Sequence, residues 1–263
     1  MHDSSSLAPV AEPTAPPPLL SLAGNAREWS LFLDFDGTLV DLAPTPEAIA
    51  VPPRLPSLLQ ALVTHFEGAL AVITGRSLVN LDHHLGFSLP AAGQHGAEMR
   101  VISSGASTGQ PAAALDAVRQ RAGELAAAWP GLIVEDKGAT LAVHYRAVPD
   151  AGEHVNAVLT EAAQASVQAL EVLRGKSVCE VRSAGVDKGA ALEAFLRAPP
   201  FTGRRPLMLG DDVTDEAAFD AALRAGGAAV KVGEGESIAP WRLPAPDAVR
   251  AWLAAVLDRR AHE

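Results

Sequence analysis

The stretch LFLDFDGTL (residues 31–39) places a short apolar run directly before two aspartates and a glycine. Such a run is typical of a parallel strand buried on both faces, and Gly37 allows a sharp turn where it ends. Ligands bind outside the carboxyl ends of strands in an open α/β sheet. We therefore expect Asp34 and Asp36 to share one crevice, where two close carboxylates require a cation or a retained proton. The simpler alternative is a strand that ends in an ordinary Asp-Gly turn.

Three later segments favour a reaction site over a simple turn. VITGR (residues 72–76) and LMLGDDVTDE (residues 207–216) repeat the pattern of an apolar strand that stops at polar residues, and DKG (residues 187–189) lies between them. The polar groups expected at this sheet edge are the hydroxyl of Thr74, the ammonium of Lys188 and the carboxylates of Asp211, Asp212 and Asp215. Phosphoryl transfer requires such a set, because its catalysis is mostly positioning and charge neutralisation. Hard oxygen ligands of this kind also suit Mg²⁺.

Composition limits the remaining possibilities. A chain of 263 residues with 48% hydrophobic content can bury a full core, and its net charge of −10 argues against nucleic acid as a partner. The single Cys179 excludes an internal disulfide and fits a reducing compartment. No apolar run approaches the roughly 18 residues of a membrane span. We expect a cytoplasmic monomer that binds neither nucleic acid nor membrane.

The chain alternates between strand-like and helix-like segments in two separate regions. Before residue 105, strands are predicted at 30–34 and 70–73 and helices at 54–65 and 77–85. After Lys188, the prediction is helix 188–197, strand 206–209, helix 214–225, strand 228–232 and helix 246–259. This alternation of strands and helices predicts an α/β fold with a doubly wound, parallel-sheet (Rossmann-like) core. The core is predicted to be discontinuous, built from residues 27–105 and 185–263. Residues 1–26, rich in Pro, Ala and Ser, are predicted to form a disordered tail.

Residues 106–184 follow a different pattern and are predicted to form an inserted α+β cap domain. A helical stretch at 111–129 precedes strands at 132–135 and 140–144, and the order recurs at 150–168, 171–173 and 178–181. This order suggests an antiparallel sheet backed by two helices, which can close over a site and exclude water. Polar residues on or beside its hairpins could bind a polyol or could mark a solvated face: Glu135, Lys137, His144, Arg146, Glu180 and Arg182.

The four motifs, in this order, resemble those of the haloacid-dehalogenase-type phosphatases. The resemblance implies that Asp34 attacks phosphorus to form an aspartyl-phosphate, and that Asp36 protonates the leaving oxygen and later activates water. Thr74 and Lys188 complete the catalytic set. The resemblance also implies Mg²⁺ on the carboxylates of Asp34 and Asp211 and on the backbone carbonyl of Asp36. Asp212 or Asp215 would support the metal.

From about Trp29 to Ala254 the chain resembles one branch of these enzymes, the trehalose-phosphatases. The resemblance rests on PTP (44–46), GQHGAE (93–98), EDKG (135–138), HYR (144–146) and EVR (180–182), in addition to the four motifs. It implies hydrolysis of a sugar phosphate, trehalose 6-phosphate, in trehalose biosynthesis. The substrate-binding residues it implies are Gly75, Arg76, Gln94, His95 and Gly96 from the core and Glu135, Lys137, Glu180 and Arg182 from the cap. Ser183 departs from the branch, where proline is common, and leaves the end of that strand open.

Two alternatives to this function remain at the level of sequence. One is a phosphatase for another sugar phosphate, such as sucrose 6-phosphate or a mannosyl ester. The other is a phosphorylatable sensor module that uses the Asp, Thr and Lys set, but Asp36 promotes turnover of the acyl phosphate that such a module must preserve. His95 is the least decided of the site residues, because a buried structural histidine would fit its context equally.

Overall fold

A computed structural model describes residues 25–43, 48–101, 108–109, 112–175 and 177–258. Residues 1–24 of the predicted tail and the PTP motif at 44–46 lie outside the described residues. Within these ranges, no helix is long and apolar enough to cross a membrane.

The described residues form the following strands and α-helices. The strands are β1 (Trp29–Leu33), β2 (Leu70–Ile73), β3 (Ala91–Gly93), β4 (Glu98–Arg100), β5 (Thr108–Gly109), β6 (Ile133–Asp136), β7 (Leu141–His144), β8 (Leu170–Gly175), β9 (Val178–Ser183), β10 (Arg205–Gly210), β11 (Ala228–Val232) and β12 (Trp241–Leu243). The α-helices are α1 (Leu55–His65), α2 (Leu78–Leu85), α3 (Asp116–Ala128), α4 (Gly152–Gln164), α5 (Lys188–Leu196), α6 (Glu216–Arg224) and α7 (Pro246–Asp258).

The larger sheet has eight strands in the order β12-β11-β10-β1-β2-β3-β4-β5. From β12 to β3 every neighbouring pair is parallel, and β4 and β5 add an antiparallel edge. The chain moves outward from β1 to β2 and β3 on one side, and from β10 to β11 and β12 on the other. The strand order therefore reverses between β1 and β10, and such a switch point is where open α/β sheets bind ligands.

β1 occupies the centre of this sheet because all five of its residues, WSLFL, are buried. Phe32 stacks on Phe201 with ring centroids 5.4 Å apart, and Phe195 of α5 lies 5.8 Å from the same ring. Aromatic contacts of this kind add to the free energy of burying each ring. These aromatic rings thus pack the core beneath the switch point, where the polar residues after β1 begin.

The cap contains a separate four-stranded antiparallel sheet in the order β6-β7-β9-β8. Helices α3 and α4 pack on one face of it, and a second hydrophobic cluster contains Val143, Cys179 and Val181. Along β9 the residues alternate between this cluster and the opposite face, where Glu180 and Arg182 are half-buried. Alternation with period two therefore points these two polar side chains away from the cap helices.

The predicted fold class is confirmed, and most predicted elements agree with the observed bounds. The predicted helix at 54–65 is α1, and the predicted strands at 140–144 and 178–181 are β7 and β9. β9 extends through buried Ser183, which pairs with Leu170, so the serine does not end the strand early. The short strands β3, β4, β5 and β12 were not predicted, because runs of two or three residues carry no measurable periodicity. β5 (residues 108–109) lies within the predicted cap range of 106–184, but it pairs with β4 in the core sheet. The division of the chain into domains remains a prediction.

Candidate active site

Two carboxylates meet at the switch point because β1 and β10 are neighbours. Asp34 follows β1 directly, and its backbone N–H donates to the carbonyl of Leu209 in β10 at 2.9 Å. Asp211 follows β10 in the same way. Gly37 makes this approach possible: its φ is +76°, and a Cβ atom there would lie 2.1 Å from Oδ2 of Asp211.

Lys188 links the carboxylate after β1 to the loop after β10. Its Nζ atom donates to Oδ1 of Asp34 and to Oδ1 of Asp215, each at 2.8 Å. All three side chains are buried. Asp187 begins α5, because its side chain accepts the N–H of Ala190 at 2.7 Å, and the cap fixes the first turn from which Lys188 projects.

Negative charge exceeds positive charge in this cluster of carboxylates around Lys188. Burial raises the pKa of Asp34 well above its ordinary value, and Lys188 opposes the shift while Asp215 adds to it. Burial also raises the pKa of Asp211. Burial alone would lower the pKa of Lys188, but the charges of Asp34 and Asp215 raise it, so the ammonium stays protonated. Three carboxylates thus face one ammonium.

The donor set fits a divalent cation. Asp34, Asp211 and Asp215 each offer a carboxylate oxygen, and these atoms lie within 4.8 Å of one another. Hard oxygen donors in a group with excess negative charge suit Mg²⁺ or a similar metal. Thr38 donates its hydroxyl to Oδ1 of Asp211 at 3.3 Å and holds that carboxylate toward the cluster.

The two aspartates that sequence could not separate have different surroundings. Asp215 is fully buried, and its Oδ2 accepts the backbone N–H groups of Asp211 and Asp212, each at 3.0 Å. Asp212 is exposed, and its side chain caps the short 3₁₀ helix that starts at Val213. Of these two aspartates, Asp215 lies in the carboxylate cluster and Asp212 does not.

Asp36 lies next to this cluster and is held by Arg76. The guanidinium group forms a fork with the carboxylate, with Nε and Nη2 each 2.7 Å from an oxygen. Arg76 is in turn held from α2, because Nη1 donates to Oδ1 of Asn80 at 2.7 Å and contacts Nε2 of His84 at 3.3 Å. Arg76 was predicted as a substrate contact, and here it orients the neighbouring carboxylate.

Thr74 and Gly75 belong to the loop after β2, beside β1. The hydroxyl of buried Thr74 accepts the backbone N–H of Arg76 at 3.2 Å. Gly75 permits a close approach of His95, since a Cβ atom would lie 2.9 Å from the imidazole ring. Gly96, the third residue of the same 3₁₀ turn as Gln94 and His95, lies against the backbone of Asp187.

His95 is an uncharged group among three cations. Burial, and then the charges of Lys188, Arg182 and Lys137, lower its pKa to about 4. Its Nδ1 atom is buried without a hydrogen-bond partner among the described residues. These cations come from the core and from two hairpins of the cap.

Gln94 connects the core to the first cap hairpin. Its side-chain amide donates to Oε1 of Glu98 at 2.6 Å and to the backbone carbonyl of Lys137. The other oxygen of Glu98 accepts the N–H of Leu78 at 2.8 Å and so caps α2. Gln94 therefore ties the turn between β6 and β7 to the same helix that holds Arg76.

A cleft of about 640 Å³ lies between the core and that hairpin. Its polar lining includes Asp36, Arg76 and Gln94 from the core, and Glu135 and Lys137 from the cap. Leu42, Ala43 and Ile49 form an apolar wall. A volume of this size is within the range of small-molecule sites.

The remaining cap residues lie outside the lining of that cleft. Glu180 is two strands from Glu135 on one row of the cap sheet, because both pair with Ala142. Arg182 is half-buried and binds Glu171 at 2.6 Å. His144 lies 3.0 Å from Glu135, so its polar group belongs to the same sheet face. The structure thus brings Glu135 and Lys137 into the cleft and leaves Glu180 and Arg182 farther along the face.

Sequence reasoning missed several residues that support the site. Lys231 of β11 is buried and donates its Nζ proton to the backbone carbonyl of Asp211. The sequence did indicate Lys231, because a lysine inside the apolar run AAVKV is costly to bury unless its charge is paired or hydrogen-bonded. Asn80, His84 and Glu98 gave no such signal, since polar residues on a short helix or strand are ordinary surface residues.

This fold, a doubly wound sheet beneath an α+β cap, is also that of a Bacteroides thetaiotaomicron phosphatase of the haloacid-dehalogenase superfamily, which superposes with a TM-score of 0.59 at 18% identity, covering 98% of this chain and 99% of that one. The model of the trehalose-phosphatase family matches residues 32–247. The chain belongs to the trehalose-phosphatase family and is a phosphoric monoester hydrolase.

Relatives agree with this assignment in sequence and in structure. The chain is 40% identical over 241 residues to a probable trehalose-phosphate phosphatase of Sinorhizobium fredii, covering 90% of this chain and 91% of the relative. It is 38% identical to the trehalose-6-phosphate phosphatase of Escherichia coli, covering 90% and 89%. A crystal structure of Aspergillus fumigatus trehalose-6-phosphate phosphatase superposes with a TM-score of 0.70 at 25% identity, covering 94% of this chain and 99% of that one.

Proposed function

We propose that this protein hydrolyses trehalose 6-phosphate to trehalose and phosphate, as a step of trehalose biosynthesis, with Mg²⁺ and through an aspartyl-phosphate. The observation that carries the proposal is the contact of buried Lys188 with Asp34 and Asp215, directly beside Asp36 and the cleft. The family and the names of the relatives support the choice of sugar.

In the first half of the proposed reaction, a carboxylate oxygen of Asp34 attacks phosphorus and the bond to the sugar oxygen breaks. Asp36, which lines the cleft, transfers a proton to that oxygen as it leaves. Lys188 neutralises charge on the attacking carboxylate and on the phosphoryl oxygens. Asp34, Asp211 and Asp215, with the backbone carbonyl of Asp36, would hold Mg²⁺, which supplies further charge neutralisation for the phosphoryl group.

In the second half, Asp36 accepts a proton from water, and the water oxygen attacks the phosphorus of the aspartyl-phosphate. Phosphate leaves and the carboxylate of Asp34 is restored. Arg76 orients Asp36 for both transfers through its two-point contact. The hydroxyl of Thr74, in the loop after β2, binds a phosphoryl oxygen in this reaction.

The cap supplies recognition of the part of the substrate that does not react. Glu135 and Lys137 line the cleft with charged groups that bind sugar hydroxyls, together with Gly75, Arg76 and Gln94 from the core. Glu180, Arg182, His95 and Gly96 extend the polar surface along the cap face and the adjacent turn. A phosphorylatable sensor module would have no use for such a cleft.

Phosphate release from a panel of sugar phosphates tests this function. Trehalose 6-phosphate should be hydrolysed with the highest kcat/KM, ahead of sucrose 6-phosphate, glucose 6-phosphate and mannose 6-phosphate, and a chelator should abolish the activity. Asp34→Asn is the matched blank, because an amide oxygen is a poor nucleophile and a weaker metal ligand. Preference for another sugar, or wild-type release by Asp34→Asn, would refute the assignment.

A further inference from the structure

The turn between β6 and β7, residues 136–140, carries the cap into the cleft, and we call it the cap turn. From its contacts we infer that Arg119 of α3 is a positioning residue for substrate specificity: it holds the cap turn so that Glu135 and Lys137 meet the leaving group. This inference rests on the proposed function, since it assumes that the leaving group is a sugar that reaches the cap.

Arg119 contacts the cap turn at three points. Its Nε and Nη2 atoms lie 2.7 and 3.3 Å from the two carboxylate oxygens of Asp136, and Nη2 also donates to the backbone carbonyl of Gly138 at 2.7 Å. Behind it, Nη1 donates to Oδ1 of Asp116 on the same helix at 3.0 Å. A planar guanidinium that is held at both ends fixes direction as well as distance.

The backbone polar groups of the cap turn form hydrogen bonds within the turn and with the core. Oδ1 of Asp136 accepts the N–H of Gly138 at 2.9 Å, and the N–H of Lys137 donates to the carbonyl of Thr140 at 3.0 Å. The carbonyl of Lys137 accepts from Gln94 of the core. The cap turn is therefore held from two sides, by Arg119 within the cap and by Gln94 across the cleft.

The charge pair differs in geometry from a typical surface ion pair, because the guanidinium of Arg119 contacts both carboxylate oxygens of Asp136. The side chain of Arg119 is 23% exposed and that of Asp136 44% exposed. Hydrogen bonds from Arg119 lower the pKa of Asp136, and hydrogen bonds to Asp136 and Asp116 raise the pKa of Arg119. Isolated exposed pairs contribute little to stability, whereas forked pairs within a network restrict geometry.

The consequence concerns one class of substrate. Arg119 does not line the cleft, and its contacts with Asp136, Gly138 and Asp116 lie within the cap, so we expect its loss to leave Asp34, Asp36 and Lys188 in place. A loosened cap turn would misplace Lys137 and Glu135 only for substrates whose leaving group reaches them. Small displacements of positioning groups reduce rates strongly, because the aligned geometry is what binding energy maintains.

The test compares Arg119→Met with Arg121→Met on two substrates, trehalose 6-phosphate and a small aryl phosphate. Arg121 is the matched control, since it lies on the same helix and its ion pair among the described residues is with Glu124, three residues along, at 2.6 Å. For Arg119→Met we expect kcat/KM on trehalose 6-phosphate to fall about ten-fold or more, the scale of one charge-assisted hydrogen bond. Hydrolysis of the aryl phosphate, and both activities of Arg121→Met, should stay within about two-fold of wild type.

Hydrogen exchange supplies a readout that does not depend on activity. The amides of Lys137 and Gly138 should exchange faster in Arg119→Met than in Arg121→Met, while amides in β7 and β9 keep their protection and show that the cap is folded. Arg119→Lys should recover only part of the lost activity, because an ammonium group lacks the fork.

Equal losses on both substrates, no loss on either, or full recovery in Arg119→Lys would each overturn the inference. Unchanged exchange at Lys137 and Gly138 would do the same. If the wild-type protein does not prefer trehalose 6-phosphate, the proposed function fails instead, and the panel of sugar phosphates reveals this before any variant is made.

Discussion

At the scale of single residues, Asp36 has the most informative surroundings. Its side chain is 30% exposed and lines the cleft, while Arg76, only 8% exposed, holds both of its oxygens. In the proposed reaction, Asp36 must reach the leaving oxygen and keep a defined orientation in both half-reactions. The fork from Arg76 supplies the orientation, and Asn80 and His84 keep the guanidinium in place.

We expect Asp36→Asn to reduce kcat by roughly 10²-fold or more, the usual scale of general acid-base catalysis. The amide keeps an acceptor for Arg76 but can neither deliver a proton nor activate water. Steady-state phosphate release measures the effect. Asp41→Asn, an exposed aspartate on the same loop, is the control and should keep wild-type activity. Equal rates for both variants would move acid-base catalysis to another group.

His95 predicts a pH dependence of stability. Its pKa is about 4 in the folded protein, below the ordinary value of 6.5, so between these values the unfolded chain binds more protons. The contribution of neutral His95 is therefore present above pH 6.5 and is lost as the pH falls toward 4. Asn tolerates the left-handed backbone at this position, where φ is +59°, so His95→Asn preserves the local conformation.

Thermal unfolding at pH 7 and pH 4.5 measures this difference. We expect His95→Asn to lose less stability on acidification than wild type, because the variant has no imidazole to protonate on unfolding. His154→Asn, which replaces an exposed histidine of α4, should follow the wild-type curve. Identical pH dependence in all three proteins would contradict the buried, neutral state of His95.

At the scale of elements, the cap sheet divides its residues between two faces. Val143, Cys179 and Val181 pack under α3 and α4, while Glu180 and Arg182 alternate with them on the opposite face. The thiol of Cys179 is buried, which raises its pKa and fits a structural role. Polar residues on the open face thus have two possible roles, solvation or recognition.

Glu180→Ala distinguishes these roles. If Glu180 binds a sugar hydroxyl, kcat/KM on trehalose 6-phosphate should fall about ten-fold or more, as expected for a lost charge-assisted hydrogen bond. A small aryl phosphate makes no such contact, so its hydrolysis should change much less. Glu161→Ala, on the exposed side of α4, is the control. Parallel losses on both substrates would show that Glu180 is structural, and no loss would show that it is solvated.

At the scale of the whole molecule, we expect metal binding at the switch point to stabilise the fold. Residues from β1, α5 and the loop after β10 meet there, and these segments are far apart in the chain. A ligand that binds only the folded state stabilises it by about 2.7 kcal/mol at 100 times its Kd. Asp34 comes from the N-terminal part of the chain, and Asp211 and Asp215 come from the C-terminal part. We therefore expect the stabilisation to oppose global unfolding.

We therefore expect saturating Mg²⁺ to raise the Tm by a few degrees, the scale that about 2 kcal/mol produces in a chain of this length. A chelator should remove the shift. Asp211→Asn should show little or no shift, because it lacks a carboxylate of the cluster, while Asp212→Asn should keep it despite losing a helix cap. Loss of the shift in Asp212→Asn, with retention in Asp211→Asn, would reverse our assignment of the metal ligands.

The sequence alone determined the order of the longer elements and the ends of the strands that carry chemistry. β1, β2 and β10 were readable because apolar runs stop at Asp, Thr and Gly, and α1, α2 and the cap hairpins because periodicity and turn residues are local properties of the chain. From these runs, parallel packing predicted that Asp34, Thr74 and Asp211 lie at one sheet edge.

Only the tertiary structure decided which side chains meet. Three contacts show this: Lys188 with Asp215, Arg76 with Asp36, and Gln94 with the cap turn. The sequence around each of these residues does not indicate its partner. Arg76 and Asp36 are 40 positions apart, and Lys188 and Asp34 are 154 apart. Hydrogen bonds of this kind depend on rotamers and on the distance between packed elements, and local patterns of hydrophobicity encode neither.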